Sequence, residues 1–347
     1  MSERKKVVKG LIAGLCVGAL IWQCGIALAA EPRYEFIEVD TTQYKKPRPW
    51  RIGFSNASVG NSWRVFFLQE IKQEFARYPE VELLITDAMD SPSKQVSDVE
   101  DLVAKGIDLL LVSATTSKPL TPVVERVMDM GIPVVTVDRG IASDKYVSFV
   151  HSSHFEMGKA QGTWLAKELG GKGNIVLLGG IAGATPAEER IDGAMSVFDQ
   201  YPGIKVLATR YCDWSPVKGK MEMADLLVRF PKIDGVWAGS ALQGSGAVEA
   251  FVDARIPVPP ITGEDMNSFL KQWRTMGLTG VSVSNPVWQG AIAARVCIDV
   301  LEGVPVPHYI DVGRTIVTEK ELDDYVDLDA PDGWWMDNHL REEWLPK

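Results

Sequence analysis

Residues 132–141 read IPVVTVDRGI. Val134, Val135, Thr136 and Val137 follow one another without a break, Ile132 leads in, and the run stops at an acid and a base side by side, Asp138 and Arg139. Successive side chains of a strand point to opposite faces, so a run that is apolar or β-branched at every position reads as buried on both. Strands of that kind belong to parallel sheets covered by helices. Why opposite charges should close such a strand is the question the stretch leaves open.

Upstream, the same alternation repeats. WRIGFSN reads as a strand, SWRVFFLQEIKQEFARYP as an amphipathic helix, VELLITDA as a strand and SPSKQVSDVEDLVAKG as a helix closed by Gly106. IDLLLVSA and TPVVERVMDMG follow as a strand and a helix closed by Gly131. In the first helix, Val65, Leu68, Ile71, Lys72 and Phe75 fall near the i, i+3, i+4 spacing and predict its buried face. Downstream the pattern starts again at HFEMGKAQGTWLAKELGG and runs to MNSFLKQWRTMG, so two halves of one kind follow each other. A late unit, LTGVSVSNP and VWQGAIAARVCIDVLEG, must join one of the two sheets.

A chain of 347 residues is long enough for two cores. Residues 1–30 are set apart by a basic start and the apolar run LIAGLCVGALIWQCGIALAA, which ends in Ala27, Leu28 and Ala29. This is the pattern of a cleaved secretory signal, with an uncleaved membrane anchor as the rival reading. Without residues 1–29 the chain carries 32 bases against 45 acids, a net charge of −13. Such a surface argues against nucleic acid or anionic membrane as partner. Cys212 and Cys297, the two cysteines that remain, are too few for a disulfide framework and read as separate buried thiols. Residues 31–47 carry Pro32 and Pro47, with Pro49 just beyond, show no sustained period and read as an extended lead-in. Residues 331–347 form an acidic tail whose Trp334, Trp335 and Trp344 are expected to pin it to the body.

In open parallel sheets, ligands sit beyond the carboxyl ends of the strands. The polar residues that directly follow apolar runs include Ser55, Asn56, Asp87, Ser113, Thr115, Asp138, Arg139, Asp213, Trp214, Ser240, Glu264, Asp265, Ser284 and Asn285. Carboxylates and guanidinium forks together satisfy hydroxyls that both donate and accept, and aromatic rings cover C–H faces, so the set suits a neutral polyol. Catalytic signatures are missing from the sequence: GGKGN precedes a strand instead of following one, and no G-x-S-x-G, P-loop or H-E-x-x-H occurs. His151 and His154 in HSSH have no third ligand nearby and read as structural or capping residues, with no metal or cofactor expected.

The segments GIPVVTVDRGI, GGKGNIVLLGGIAGATPAEERIDG, YPGIKVLATRYCDW and PITGEDM, in that order, carry a resemblance to the periplasmic sugar-binding proteins of ABC importers, the ribose and galactose type. It extends from Trp50 to about Thr318. The resemblance implies an α/β fold of two lobes, each a parallel sheet flanked by helices, joined by a hinge with three crossovers. Lobe one would comprise residues 48–152 and 285–312, and lobe two residues 153–284 and 313–330. It implies a periplasmic, monomeric, non-enzymatic protein that captures a monosaccharide in the cleft and delivers it to ABC permease subunits. A ligand-sensing accessory protein of a sensor kinase is the alternative. Carried over residue by residue, the sugar contacts fall on Asn61, Trp63, Asp138, Arg139, Arg190, Trp214 and Asp265, with Trp63 and Trp214 sandwiching the ring. Arg64 stands where ribose-type relatives have a second aromatic. Ser240, Ser284 and Asn285 replace longer amide-bearing residues, which implies a roomier pocket and a ligand other than ribose.

Overall fold

The computed structural model describes residues 37–346; the expected signal segment, residues 1–30, lies outside them. The first sheet starts with strands β1 (Trp50–Asn56), β2 (Val81–Asp87), β3 (Leu109–Val112), β4 (Val134–Val137) and β5 (Ser148–His151). Helices α1 (Ser62–Phe75), α2 (Pro92–Ala104) and α3 (Ser117–Asp129) connect the first four. Helix α4 (His154–Glu168) leads into the second sheet, with β6 (Lys172–Gly179), β7 (Gly203–Tyr211), β8 (Gly235–Ala238), β9 (Ile261–Gly263) and β10 (Gly280–Val283). Its connecting helices are α5 (Thr185–Phe198), α6 (Pro216–Arg229), α7 (Ala241–Ala254) and α8 (Asn267–Met276). Helix α9 (Gln289–Glu302) then returns to the first sheet, where it packs on α1 and on β3, β4 and β5.

Two last strands complete the sheets. β11 (Tyr309–Asp311) extends the first sheet beside β5, and β12 (Ile316–Val317) pairs antiparallel with β10 in the second. The strand orders are β2-β1-β3-β4-β5-β11 and β7-β6-β8-β9-β10-β12, one arrangement used twice. The chain therefore passes between lobes three times, after β5, after β10 and after β11. In each sheet the order reverses beside the first strand, which opens a crevice at the strand ends.

Burial explains the strands. LLLV of β3 and VVTV of β4 are buried at all four positions, as a sheet covered on both faces requires, and they pair in register through Leu110 and Val134. Strand β5 is not anticipated by the hydrophobic pattern, because SFVH is short and ends on polar residues. It is held by Phe149 beside Thr136 on one side and Tyr309 on the other.

In α1 the structure departs from the expected face. Trp63, Phe66, Phe67, Glu70, Ile71, Glu74 and Phe75 are buried, while Val65, Leu68 and Lys72 are only partly so. Two acids lie on the buried face with partners at its rim: Glu70 accepts from the His339 amide at 2.6 Å, and Glu74 meets the half-exposed Arg295 at 3.3 Å.

Lobe two depends on close helix contact. A Cβ at Gly158 of α4 would lie 1.9 Å from the Arg190 carbonyl oxygen, and one at Gly193 of α5 would lie 2.0 Å from that of Phe155. Helices α6 and α7 use the same device, with a Cβ at Gly246 meeting the Pro216 carbonyl at 2.0 Å. These glycines allow backbone-to-backbone approach that any side chain would block. Among the described residues no helix is long and apolar enough to cross a membrane.

Candidate functional site

Strand β4 ends in a tight turn. Asp138 adopts φ of +61°, and the Arg139 amide donates to the Val137 carbonyl at 2.6 Å, which closes an i to i+2 turn of the rarer hand. The neighbouring strand helps hold this strained conformation, since the Asp138 amide donates to the Val150 carbonyl at 2.9 Å. Strain of this kind persists only where surrounding structure enforces it, and it is concentrated at functional sites. Its effect is to keep both charged side chains at the strand end, within the interlobe crevice.

The Asp138 carboxylate is the centre of a buried network. It accepts from Arg64 Nη2 at 2.9 Å and from Asn285 Nδ2 at 3.2 Å, and Arg139 Nε lies 3.9 Å away. Burial by itself raises its pKa; the facing guanidinium groups, Arg64 foremost, outweigh this and hold it below the usual carboxylate range. Arg64 is also tied to Ser113 Oγ at 2.9 Å, so its charge serves to position the acid. Arg139 is pulled down to about 9 by burial and by the like charge of Arg64, and its Nε has no hydrogen-bond partner.

From lobe two, Arg190 donates to the Gly239 carbonyl at 2.6 Å and to Glu264 at 3.1 Å. The two frames meet at His154. Burial keeps this ring neutral, its pKa falling well below the usual value, with the charge of Arg190 acting in the same direction. Its Nε2–H donates to the Asp138 carbonyl at 3.1 Å and its Nδ1 accepts from Arg190 Nε at 3.3 Å. Each ring nitrogen thus has one role, and that assigns the tautomer.

Asn61, Trp63, Arg64, Asp138, Arg139, Arg190, Trp214, Ser240 and Asn285 line one cavity together with Pro186, Leu242, Glu264 and Trp335. Its empty volume is about 330 Å³, part of it shared with the open cleft. The volume it encloses is only about 30 Å³, far below the ~300–1,000 Å³ usual for small-molecule sites. Asn61 caps α1 by accepting from the Arg64 amide at 3.0 Å, and Ser240 caps α7 by accepting from that of Leu242 at 3.3 Å. Trp63 is stacked on Phe67 at 5.0 Å and donates its Nε1 to the Asn285 carbonyl at 2.8 Å. Trp214 lies under the Arg190 guanidinium at 5.2 Å, and its Nε1 is buried without a partner.

Trp214 owes its place to a glycine. A Cβ at Gly180 would lie 2.0 Å from the indole Cζ2. Gly180→Ala is therefore expected to displace the ring from the cavity and to weaken ligand binding at least about tenfold. Calorimetric titration would show this, and wild-type affinity in the variant would remove Trp214 from the site.

Asp265 and Ser284 do not line the cavity. Asp265 turns away, its Oδ2 accepting from the Asp337 amide at 2.7 Å, and Glu264 takes the place expected for it. Ser284 Oγ reaches Asp337 at 3.1 Å and accepts from the Thr315 amide at 2.8 Å, so it ties a crossover to the tail. Sequence reading does not place Glu264, His154 or Trp335 at the site: Glu264 is only one of the polar residues that follow a strand, His154 reads as structural or capping, and Trp335 as pinning the tail.

The displaced acid has a consequence for pH. Burial, then the charge of Asp337, pushes Asp265 up to about 7, and burial first, with Asp337 and Glu74 adding to it, does the same to Glu70. In an unfolded chain both titrate near ~4. The folded chain thus holds these protons more tightly, and the associated stability is full below ~4 and lost as pH rises through about 7. Urea unfolding at pH 5 and pH 8 is expected to show lower stability at pH 8, with Asp265→Asn flattening the difference. An unchanged difference in the variant would assign the effect elsewhere.

Comparison with known proteins agrees with this architecture. The chain belongs to the periplasmic binding protein domain family, whose model matches residues 52–305. It is 28% identical over 288 residues to a ribose import binding protein of Bacillus subtilis, covering 81% of this chain and 93% of that one. Among solved structures, the fructose-binding periplasmic domain of a hybrid two-component system is 34% identical with a TM-score of 0.75. That match covers 79% of this chain and 92% of the other. A solute-binding protein of an ABC transporter from Mycobacterium smegmatis, with bound glycerol, is 28% identical with a TM-score of 0.75, over 81% and 98% of the two chains.

Proposed function

We propose that this chain is a periplasmic solute-binding protein that captures a monosaccharide or related polyol between its lobes and hands it to an ABC permease, without chemical turnover. One observation carries the reading. The cavity combines two acid–guanidinium pairs, Asp138 with Arg64 and Glu264 with Arg190, with two unpartnered donors, Arg139 Nε and Trp214 Nε1, and three indole rings. Hydroxyl groups can accept from the free donors and donate to the carboxylates, while the rings cover the apolar face of a sugar. An unpaired buried donor costs about 1–3 kcal/mol, which a ligand hydroxyl recovers. The names of the relatives, which bind ribose, fructose or glycerol, lie within this chemistry. A carboxylate held low by two guanidinium groups is a poor base, which fits binding better than catalysis.

Closure around the ligand follows from the division of the site: Asp138, Arg139 and Trp63 come from one sheet and its helices, Arg190, Trp214 and Glu264 from the other. A ligand that touches both favours the closed state by the difference in its contacts. A thermal-shift panel of pentoses, hexoses and polyols tests the reading. A true ligand at a hundredfold excess over Kd is expected to stabilise by ~2.7 kcal/mol, or roughly 4 °C. If no compound in the panel moves the melting temperature, the reading fails.

A second reading, a ligand-sensing partner of a sensor kinase, is favoured by the 34% identity to a two-component sensor domain. Ligand-dependent stimulation of a reconstituted permease ATPase would support import, and stimulation of kinase autophosphorylation would support sensing.

A further inference from the structure

We propose that Trp335, in the C-terminal tail, is a ligand-contacting and specificity-determining residue of the interlobe site. This inference rests on the monosaccharide-binding reading above. The tail is acidic and polar, yet Trp335 is only 1% exposed and lines the same cavity as Trp63 and Trp214. Its position is set from both lobes. The indole Nε1 donates to Ser62 Oγ at 3.0 Å, and Ser62 is the first residue of α1, between the cavity residues Asn61 and Trp63. On the other side, the backbone bridges to Met266, and the neighbouring Met336 amide donates to the Asp265 carbonyl at 3.1 Å.

The flanking residues tie the tail across the cleft. Asn267 of α8 donates its amide to the Trp334 carbonyl at 2.7 Å, whereas the His339 amide reaches Glu70 of α1. Trp335 is thus held between one element from each lobe, at the edge of the ligand cavity. An aromatic wall so placed contributes to binding in proportion to the ligand surface it covers, and that surface differs between sugars with different substituents. A ring serving only to seal the core would affect all ligands alike.

The test uses the full chain with Trp335→Ala and Trp335→Phe, titrated with every sugar of the panel that binds the wild type. Trp335→Phe keeps an aromatic face and gives up the bond to Ser62, which guards against a simple failure to fold. Trp335→Ala is expected to weaken the tightest sugar about tenfold and to change the ratio of Kd values among sugars, while Trp335→Phe keeps the wild-type ratios. Unchanged affinity in Trp335→Ala, or equal weakening for all sugars, overturns the assignment. A wild type that binds no sugar overturns the monosaccharide reading, and this inference with it, and is distinguished by failing before any variant is made.

Discussion

Asp138→Ala is expected to weaken sugar binding by about thirtyfold to several thousandfold. The carboxylate holds Arg64 at 2.9 Å and Asn285 at 3.2 Å, with Arg139 Nε at 3.9 Å. Without it, the Arg64 and Arg139 guanidinium groups are left in a buried site with only Asp90, 3.7 Å from Arg139 Nη1, as counter-charge. Truncating one partner of a buried, hydrogen-bonded charge pair at a binding surface costs about 2–5 kcal/mol of binding, and each ~1.4 kcal/mol is tenfold in affinity. Alanine also fits the left-handed backbone at this position less well, whereas asparagine tolerates it. Asp138→Asn therefore isolates the charge and should retain the turn while losing most of the affinity. If Asp138→Asn binds sugar as the wild type does, the charge network is not the binding centre.

The largest effect on folding is expected from Gly193→Ala. In an exposed helix this change stabilises by about 1 kcal/mol. Here the added carbon would sit 2.0 Å from the Phe155 carbonyl oxygen of α4, so two helices must separate along their contact. Overpacking costs ~1–3 kcal/mol and occasionally more, and backbone cannot move aside as a side chain can. We expect a loss of about 3 kcal/mol or more, seen as a melting temperature lower by roughly 5 °C or more. A melting temperature at or above that of the wild type would mean that the helices do not approach as described.

The sequence reveals its strands where burial is complete. β3 and β4 are continuous apolar runs and were legible as such, and their polar ends pointed to Asp138 and Arg139. Legibility is lost where position depends on distant partners. Glu264 and Asp265 both follow β9, and one must point into the cavity and the other away. The choice is fixed by the Asp337 amide, 72 residues further on, which claims Asp265. The buried face of α1 poses the same difficulty, because Glu70 on it meets the His339 amide. Trp335 belongs to a segment without any period, so pattern reading could expect burial of its ring but not its position in the cavity wall.

The two cysteines offer a practical use. Cys212 and Cys297 are both buried and free; burial pushes the Cys212 thiol up to about 12, and Cys297 also lies well above the usual range. Neither will form much thiolate near neutrality, which is the species that reacts with alkylating dyes. A chain prepared from Glu31 onward, which omits Cys16 and Cys24, would then carry no competing nucleophilic sulfur. One cysteine introduced at the cleft rim could be coupled selectively to an environment-sensitive fluorophore, turning lobe closure into an optical signal for the sugar itself.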